Sequence, residues 1–221
     1  EAAMKIGIVG GTGREGRGLG VRWAKAGHDV FIGSRQEEKG VAKAAEFSEE
    51  FGVALQGGDN VAACNHAELI IVTVPYSAHR PTLQSIKDAV GDKVIVDIAV
   101  PIQPPKVRSV NLPEGQAAAL EARALLNEGT RLVAALHHIS SEHLSDPGHT
   151  FDCDVLVCSD DKQARASVIA LISDLGLRGI DAGVLKNAIA LESLTPVLLH
   201  INRRYKSVGS GIRITGIPES E

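Results

Sequence analysis

The sequence predicts an α/β fold, a doubly wound parallel sheet with a small helical unit at the C-terminal end. Short aliphatic runs alternate with helical stretches along the chain, as expected for strands joined by helical crossovers. Aromatic residues are only 3% of the 221 residues, so Val, Ile, Leu and Ala must build the core, as in a sheet covered on both faces. The first aliphatic run leads directly into a glycine-rich turn.

Each predicted element follows from its local pattern. The predicted strands are aliphatic runs bounded by turn residues, at 5–9, 29–33, 54–56, 69–74, 93–97, 131–136, 154–159 and 178–181. The predicted helices occupy the periodic stretches between them, at about 14–26, 36–51, 59–64, 81–89, 116–126, 161–175 and 187–205. Three prolines make 101–115 a loop, and Pro196 predicts a kink in the last helix.

Two structural units are expected, because the regular alternation of predicted strands and helices ends near Asp181. Residues 4–181 form the predicted Rossmann-type dinucleotide-binding domain, and residues 182–221 form a small C-terminal domain.

Composition excludes several classes of protein. The net charge of −4 argues against a nucleic-acid partner, and no apolar run is long enough to span a membrane. Cys64, Cys153 and Cys158 are an odd number without metal-ligand spacing, which predicts three buried free thiols, no metal site and a reducing cytoplasm.

The glycine-rich turn has the spacing of a dinucleotide fingerprint, with Gly11, Gly13 and Gly16 between a strand and a helix. Gly11 permits the tight turn, Gly13 lets the backbone approach a diphosphate, and Gly16 lets the helix lie close to the sheet. The helix N-terminus then faces the anion. A hydroxyl at Thr12 adds a donor, and Arg14 and Glu15 flank the phosphates, Arg14 either pairing with one or pointing to solvent.

The end of the second strand predicts the phosphorylated dinucleotide, NADP(H). NAD-binding proteins carry an acid there for the ribose hydroxyl, whereas this chain carries Ser34 and Arg35, with Lys39 following. A hydroxyl and a guanidinium suit a 2′-phosphate, and two charge-assisted bonds predict roughly 100-fold preference for NADP. In the alternative reading, Arg35 and Lys39 form a solvated face with two neighbouring glutamates.

The second substrate is expected beyond the carboxyl ends of the strands, at 74–76, 99–101, 136–141 and 181–183. These segments carry no close pair of acid–base groups, which favours hydride transfer between two bound rings. His137 is the best titratable candidate, and a structural histidine is an equal reading.

With these motifs placed, the chain resembles the NADPH-dependent reductases of the deazaflavin coenzyme F420, from Met4 to about Ile214. The resemblance rests on the turn and the Ser-Arg pair, and more particularly on Glu192-Ser-Leu-Thr-Pro196 after Asp181-Ala-Gly183. It implies reversible hydride transfer between NADP(H) and F420 in a homodimer, with the C-terminal domain at residues 182–221 completing the deazaflavin cleft. In this family Asn-Leu is common where Arg14-Glu15 stands here, and Trp is common at Tyr76.

The resemblance also implies a role for individual residues. The adenosine side of NADP would contact the turn, Ser34, Arg35 and Lys39, and Ser210 would contact the deazaflavin. The remaining implied positions lie around the nicotinamide or between the two rings, at Val74, Tyr76, Val100, His137, Ser141, Ser193 and Thr195. Of these, His137 and Thr195 are the candidates for a catalytic role.

Two other functions remain open on the sequence. An NADP-dependent reductase of an imine or of a hydroxy or keto acid would have the same fold but would need an acid at the reacting centre, for which Lys186 is the candidate. A non-catalytic NADP-sensing module is the alternative of another class.

Overall fold

A computed structural model describes residues 2–218 of the chain. Within them the chain forms eight strands, β1 (Lys5–Val9), β2 (Asp29–Ser34), β3 (Leu55–Asp59), β4 (Leu69–Val72), β5 (Val94–Asp97), β6 (Arg131–Ala134), β7 (Asp154–Ser159) and β8 (Arg178–Asp181). The α-helices of the same residues are α1 (Arg14–Lys25), α2 (Glu37–Phe51), α3 (Asn60–His66), α4 (Tyr76–Val90), α5 (Ala118–Leu125), α6 (Ser141–Ser145), α7 (Lys162–Ser173) and α8 (Ala188–Tyr205). Residues 219–221 of the predicted C-terminal domain lie outside the described range.

The strands form one sheet in the order β3-β2-β1-β4-β5-β6-β7-β8, which confirms the predicted α/β class. Two aliphatic cores cover its two faces. Because successive strand residues point to opposite faces, Leu69 and Ile71 of β4 enter one core and Ile70 and Val72 enter the other. The sheet is therefore buried on both sides, as its aliphatic composition predicts.

The direction of the last two strands differs from the all-parallel prediction. Strands β1 to β6 are parallel, β7 is antiparallel to β6, and β8 is parallel to β7. A parallel pair needs a crossover, usually a helix packed on the sheet. Residues 135–153 instead carry only the five-residue α6, which packs against α1. The chain therefore re-enters the sheet at the same end at which β6 leaves it.

This reversal corrects one expectation about the cleft. Asp181 ends β8 at the edge of the sheet opposite to the carboxyl ends of β1, β4, β5 and β6. The prediction that residues 181–183 meet the second substrate is therefore wrong. After a 3-10 turn at Leu185–Asn187, α8 begins at that opposite edge and runs back toward the cleft.

Most predicted boundaries agree with the structure within a few residues, and two do not. Helix α4 begins at Tyr76, five residues before Pro81, so this proline lies inside the helix and removes one backbone hydrogen bond without ending it. Helix α6 was not predicted, since five residues carry too little periodicity to recognise. Helix α8 continues through Pro196 as one element.

Other sequence expectations can be compared directly. Cys64 and Cys158 are buried free thiols, as predicted, whereas Cys153 is a free thiol that is only half-buried. Across residues 2–218, none of the helices combines the length and the hydropathy that a membrane span requires.

Candidate active site

The glycine-rich turn is held by the backbone and by one side chain. The Gly11 N–H donates to the Gly33 carbonyl oxygen over 2.9 Å, and the Gly10 N–H donates to Asn60 Oδ1 over 3.0 Å. A Cβ on Gly16 would lie 2.4 Å from the Gly11 Cα, so Gly16 is required for α1 to approach the turn. Asn60 was missed by sequence reasoning, which assigned its segment only to a short helix.

Gly13 differs from the other turn glycines because nothing in the fold requires it. Its φ of −82° suits any residue, and apart from its two chain neighbours no residue has an atom within 4 Å of the position that a Cβ would take. It is the N-cap of α1, and no side chain caps that helix end. The open space above Gly13 therefore lies where free backbone N–H groups and the helix dipole attract an anion. A Cβ at this residue would enter the space through which an anion can approach the helix N-terminus.

The predicted 2′-phosphate site lies at the end of β2, next to this turn. Ser34 is buried there and its Oγ accepts a hydrogen bond from the Gln36 N–H over 3.3 Å. Arg35 and Lys39 are exposed, and neither forms an ion pair with Glu37, Glu38 or any other residue in the range 2–218. Both cations are thus available to a phosphate.

One large cleft of about 870 Å³ lies beyond the carboxyl ends of β1, β4, β5 and β6, within the size range of ligand sites. Helix α8 and the turn at residues 208–210 form its other wall. The structure brings ten of the sequence-predicted residues to this cleft: Gly13, Arg14, Glu15, Val74, Tyr76, Val100, His137, Ser141, Thr195 and Ser210. Gly11, Thr12, Ser34, Arg35 and Lys39 lie outside its lining, in the turn and at the end of β2.

Ser193 does not line this cleft, contrary to its implied position around the rings. Its Oγ donates to the Ile189 carbonyl oxygen of its own helix, and the residue borders a separate small pocket. The neighbouring Glu192 is buried and accepts hydrogen bonds from the N–H groups of Ala118 and Ala119, at the start of α5. Burial raises the pKa of Glu192 to about 8. This part of the motif therefore joins α8 to α5.

His137 lies in the wall of the cleft and is 6% exposed. Neither of its ring nitrogens has a hydrogen-bond partner in the described part of the chain. Burial, with a smaller contribution from His138, lowers the pKa of His137 to about 3, so its ring is neutral near pH 7. Thr195 Oγ1 donates to the His137 carbonyl oxygen over 2.7 Å.

A second group of polar residues behind the cleft was also missed from the sequence. His79 Nε2 lies 2.7 Å from Asp97 Oδ2, and both side chains are buried. Asp97 Oδ1 accepts from the Ala99 N–H and so shapes the segment that follows β5 in the cleft wall. On the opposite wall, Asn202 Oδ1 accepts from the Ser210 N–H over 2.7 Å, which holds the C-terminal turn against α8.

The cleft combines an anion-binding end with largely apolar strand ends and carries no lysine among its lining residues. Lys186 is exposed in the turn before α8, at the opposite edge of the sheet. Lys186 is therefore not placed to act as the acid that an imine or keto acid reductase would need in this cleft. The arrangement can bind a dinucleotide and align a second ring with it.

Known proteins share both the sequence and the fold. A family model described as NADP oxidoreductase coenzyme F420-dependent matches residues 5–101. The F420-dependent NADP reductase of Methanothermobacter thermautotrophicus is 41% identical over 226 residues, covering 99% of this chain and 97% of that relative. The protein of the same name from Methanothermobacter marburgensis is 42% identical over 225 residues, covering 98% of this chain and 100% of that relative.

A crystal structure from Arthrobacter sp. FB24, described as a candidate F420-dependent NADP-reductase, shares the fold with a TM-score of 0.82 at 24% identity. The match covers 97% of this chain and 100% of that chain. The identities with the two methanogen reductases, over almost the full length of each, exceed what a shared fold alone would require. The chain therefore belongs to the family of F420-dependent NADP reductases.

Proposed function

We propose that this chain transfers a hydride reversibly between NADP(H) and the deazaflavin coenzyme F420. One observation carries the proposal: the anion-binding turn at Gly13 and the apolar strand ends belong to the same cleft. The names of the full-length relatives support it. The two cofactors supply the hydride chemistry, and the protein supplies their relative position.

We assign the dinucleotide to the turn and to the end of β2. The N–H groups of the turn from Gly11 to Gly13, with the Thr12 hydroxyl, would hold the diphosphate, and Ser34, Arg35 and Lys39 would hold the 2′-phosphate. This assignment of the dinucleotide is supported by the open space at Gly13 and by the exposed cations Arg35 and Lys39, which have no ion-pair partner in residues 2–218. Val74, Tyr76, Val100 and Ser141 would then surround the nicotinamide, because they follow β4, β5 and β6 in the cleft wall.

The deazaflavin is assigned to the side of the cleft formed by α8 and the C-terminal turn, at Thr195 and Ser210. The residues of this wall come from the predicted C-terminal domain, residues 182–221, which would complete the cleft. Apolar strand ends exclude water, and hydride transfer then needs the two reacting carbons about 3–3.5 Å apart. His137 serves as a neutral wall residue, since its pKa of about 3 leaves it uncharged.

We further propose a cytoplasmic homodimer. Free thiols suit a reducing compartment, and apolar side chains at Val197, Tyr205 and Val208 are exposed on and after α8. Light scattering during gel filtration measures the mass in solution, and a monomeric mass at micromolar concentration would contradict the dimer.

One assay tests the activity. The protein is mixed with NADPH and oxidised F420, and the loss of deazaflavin absorbance is followed, with NADH as the matched control for the dinucleotide. We expect turnover with NADPH and much slower turnover with NADH. Activity on an imine or keto acid without turnover of F420 would favour the alternative reductase, and tight NADPH binding without any turnover would favour a sensing module.

A further inference from the structure

Glu15 places a carboxyl group at the end of the cleft where the turn attracts an anion. It is the second residue of α1 and lines the cleft beside Gly13 and Arg14. Within residues 2–218 its carboxyl group forms no hydrogen bond and no ion pair with another residue. A carboxyl group therefore faces the space in which the proposed function puts the diphosphate.

Helix α6 and the segment after it cover the face of α1 that continues from Glu15. A Cβ on Gly18, one turn further along α1, would lie 2.7 Å from the Leu144 backbone. Arg22, another turn along, donates to the carbonyl oxygens of His143, Leu144, Asp146 and His149. These contacts hold residues 143–149 against α1, so the fold itself fixes the side of α1 on which Glu15 lies.

The charged and titratable groups around Glu15 leave its carboxyl unpaired. Within one turn of Glu15 on its own helix these groups are Arg14 and Arg17. On the other elements that line the cleft they are Tyr76, His137, His138 and Glu142, and His143 lies next to Glu142 on α6. None of them is bonded to Glu15 in the described part of the chain. Burial is the cause that raises the pKa of Glu15 to about 7, so the free protein holds this carboxyl partly protonated at neutral pH.

A bound diphosphate changes this balance, because its charge repels a carboxylate at close range more strongly than a carboxylic acid. We infer that Glu15 takes up a proton when the dinucleotide binds, so that this side chain links the affinity for NADP(H) to pH. The inference rests on the proposed function, since it needs a dinucleotide at the turn. The proton comes from solvent, and no covalent bond other than the carboxyl O–H forms.

The sign of the linkage follows from the two states of the carboxyl. Well below pH 7 it is protonated in both the free protein and the complex, so it adds no pH dependence. Above pH 7 the free protein loses this proton while the complex retains it, and the affinity falls by up to about tenfold per pH unit until the complex also ionises.

The test compares Glu15→Gln with Glu49→Gln, the matched control, because Glu49 is exposed on α2 and does not line the cleft. NADPH dissociation constants are measured by nicotinamide fluorescence from pH 6 to 9, and proton uptake is measured by calorimetry at pH 7.5 in two buffers of different ionisation enthalpy. Ionisation of NADPH affects all three proteins equally. The ratio of their dissociation constants therefore reports only the effect of the substituted side chain on the pH dependence of binding.

We expect the wild-type protein and Glu49→Gln to lose affinity for NADPH together above pH 7 and to take up a fraction of a proton on binding. Glu15→Gln should bind NADPH at least tenfold more tightly than wild type at pH 9 and with less proton uptake. Equal pH slopes in Glu15→Gln and wild type would overturn the inference while leaving the proposed function intact. Failure of the wild-type protein to bind NADPH at any pH would overturn the proposed function itself.

Discussion

The hydroxyl group of Thr195 donates a hydrogen bond to the carbonyl oxygen of His137 over 2.7 Å. This bond joins α8 to the segment that follows β6, and both residues line the cleft. Ser193, two residues earlier, bonds to its own helix and borders a different pocket. The Thr195 hydroxyl therefore holds the cleft wall, whereas the Ser193 hydroxyl does not. Variants of the two residues can measure this difference.

Thr195→Val should lower the turnover number by several-fold, because it removes the bond that fixes the wall between the two proposed ring positions. The lost hydrogen bond should also reduce the free energy of unfolding by about 1 kcal/mol. Ser193→Ala is the matched control and should retain wild-type turnover. Steady-state kinetics and urea unfolding measure both effects, and a larger kinetic loss in Ser193→Ala would contradict this assignment.

Gly13→Ala should lower mainly the affinity for NADPH, whereas Gly16→Ala should lower mainly the stability of the fold. An added Cβ at residue 13 meets open space, so stability should change by less than about 1 kcal/mol while NADPH affinity falls at least tenfold. The same change at residue 16 brings the Cβ to 2.6 Å from the Gly11 carbonyl oxygen and should cost roughly 1–3 kcal/mol of stability. Thermal unfolding and fluorescence titration report the two quantities, and unchanged affinity in Gly13→Ala would exclude the diphosphate from this position.

Arg35→Ala should reduce the preference for NADPH over NADH by roughly 10-fold or more, because it removes one charge-assisted contact to the 2′-phosphate. Lys43→Ala provides the control, since Lys43 lies on α2, the helix that follows Arg35, and is paired with Glu46. The ratio of kcat/KM for the two dinucleotides is the measurement. If that ratio stays at its wild-type value in Arg35→Ala, the end of β2 does not select the phosphate.

His137 should make the fold sensitive to acid. Its pKa of about 3 in the folded protein lies below the ordinary value of 6.5, so only the unfolded chain gains a proton as the pH falls below 6.5. The free energy of unfolding should then decrease by up to about 1.4 kcal/mol per pH unit from this residue, an effect absent at pH 7.5. Urea unfolding at pH 7.5 and pH 5 should show a smaller decrease in His137→Gln than in wild type.

His200→Gln controls for the removal of any imidazole, because His200 is exposed on α8. An acid sensitivity that is the same in His137→Gln and wild type would show that His137 does not carry this effect. Turnover in His137→Gln should also retain the wild-type pH profile between pH 6 and 8, as expected for a ring that stays neutral there.

The features predicted well from the sequence are those that depend on local physics. The turn at Gly11 and Gly13 and the aliphatic strands from β1 to β6 follow from backbone conformation and side-chain burial within short segments. The reversal of β7 depends on how residues 135–153 pack against α1, where Arg22 binds carbonyl groups more than a hundred residues away. No short pattern encodes that contact.

The different positions of Ser193 and Thr195 could have been predicted. Two residues are separated by about 200° around an α-helix, so both side chains cannot face the same cleft. Asn60 and Asn202 gave no comparable signal, because an asparagine that accepts a backbone hydrogen bond across the fold looks like any polar residue in the sequence.

The opposite direction of β8 makes the geometry of the cleft depend on the length of α8. The helix begins at the far edge of the sheet, and the side chains that it presents to the cleft are Thr195, Leu198, Leu199 and Asn202, which share one face. Inserting one residue between Ala188 and Thr195 would turn this face by about 100° and advance it by about 1.5 Å. Evolution of a different second substrate can therefore proceed by substitution along that face, whereas insertions and deletions in the first half of α8 should be excluded.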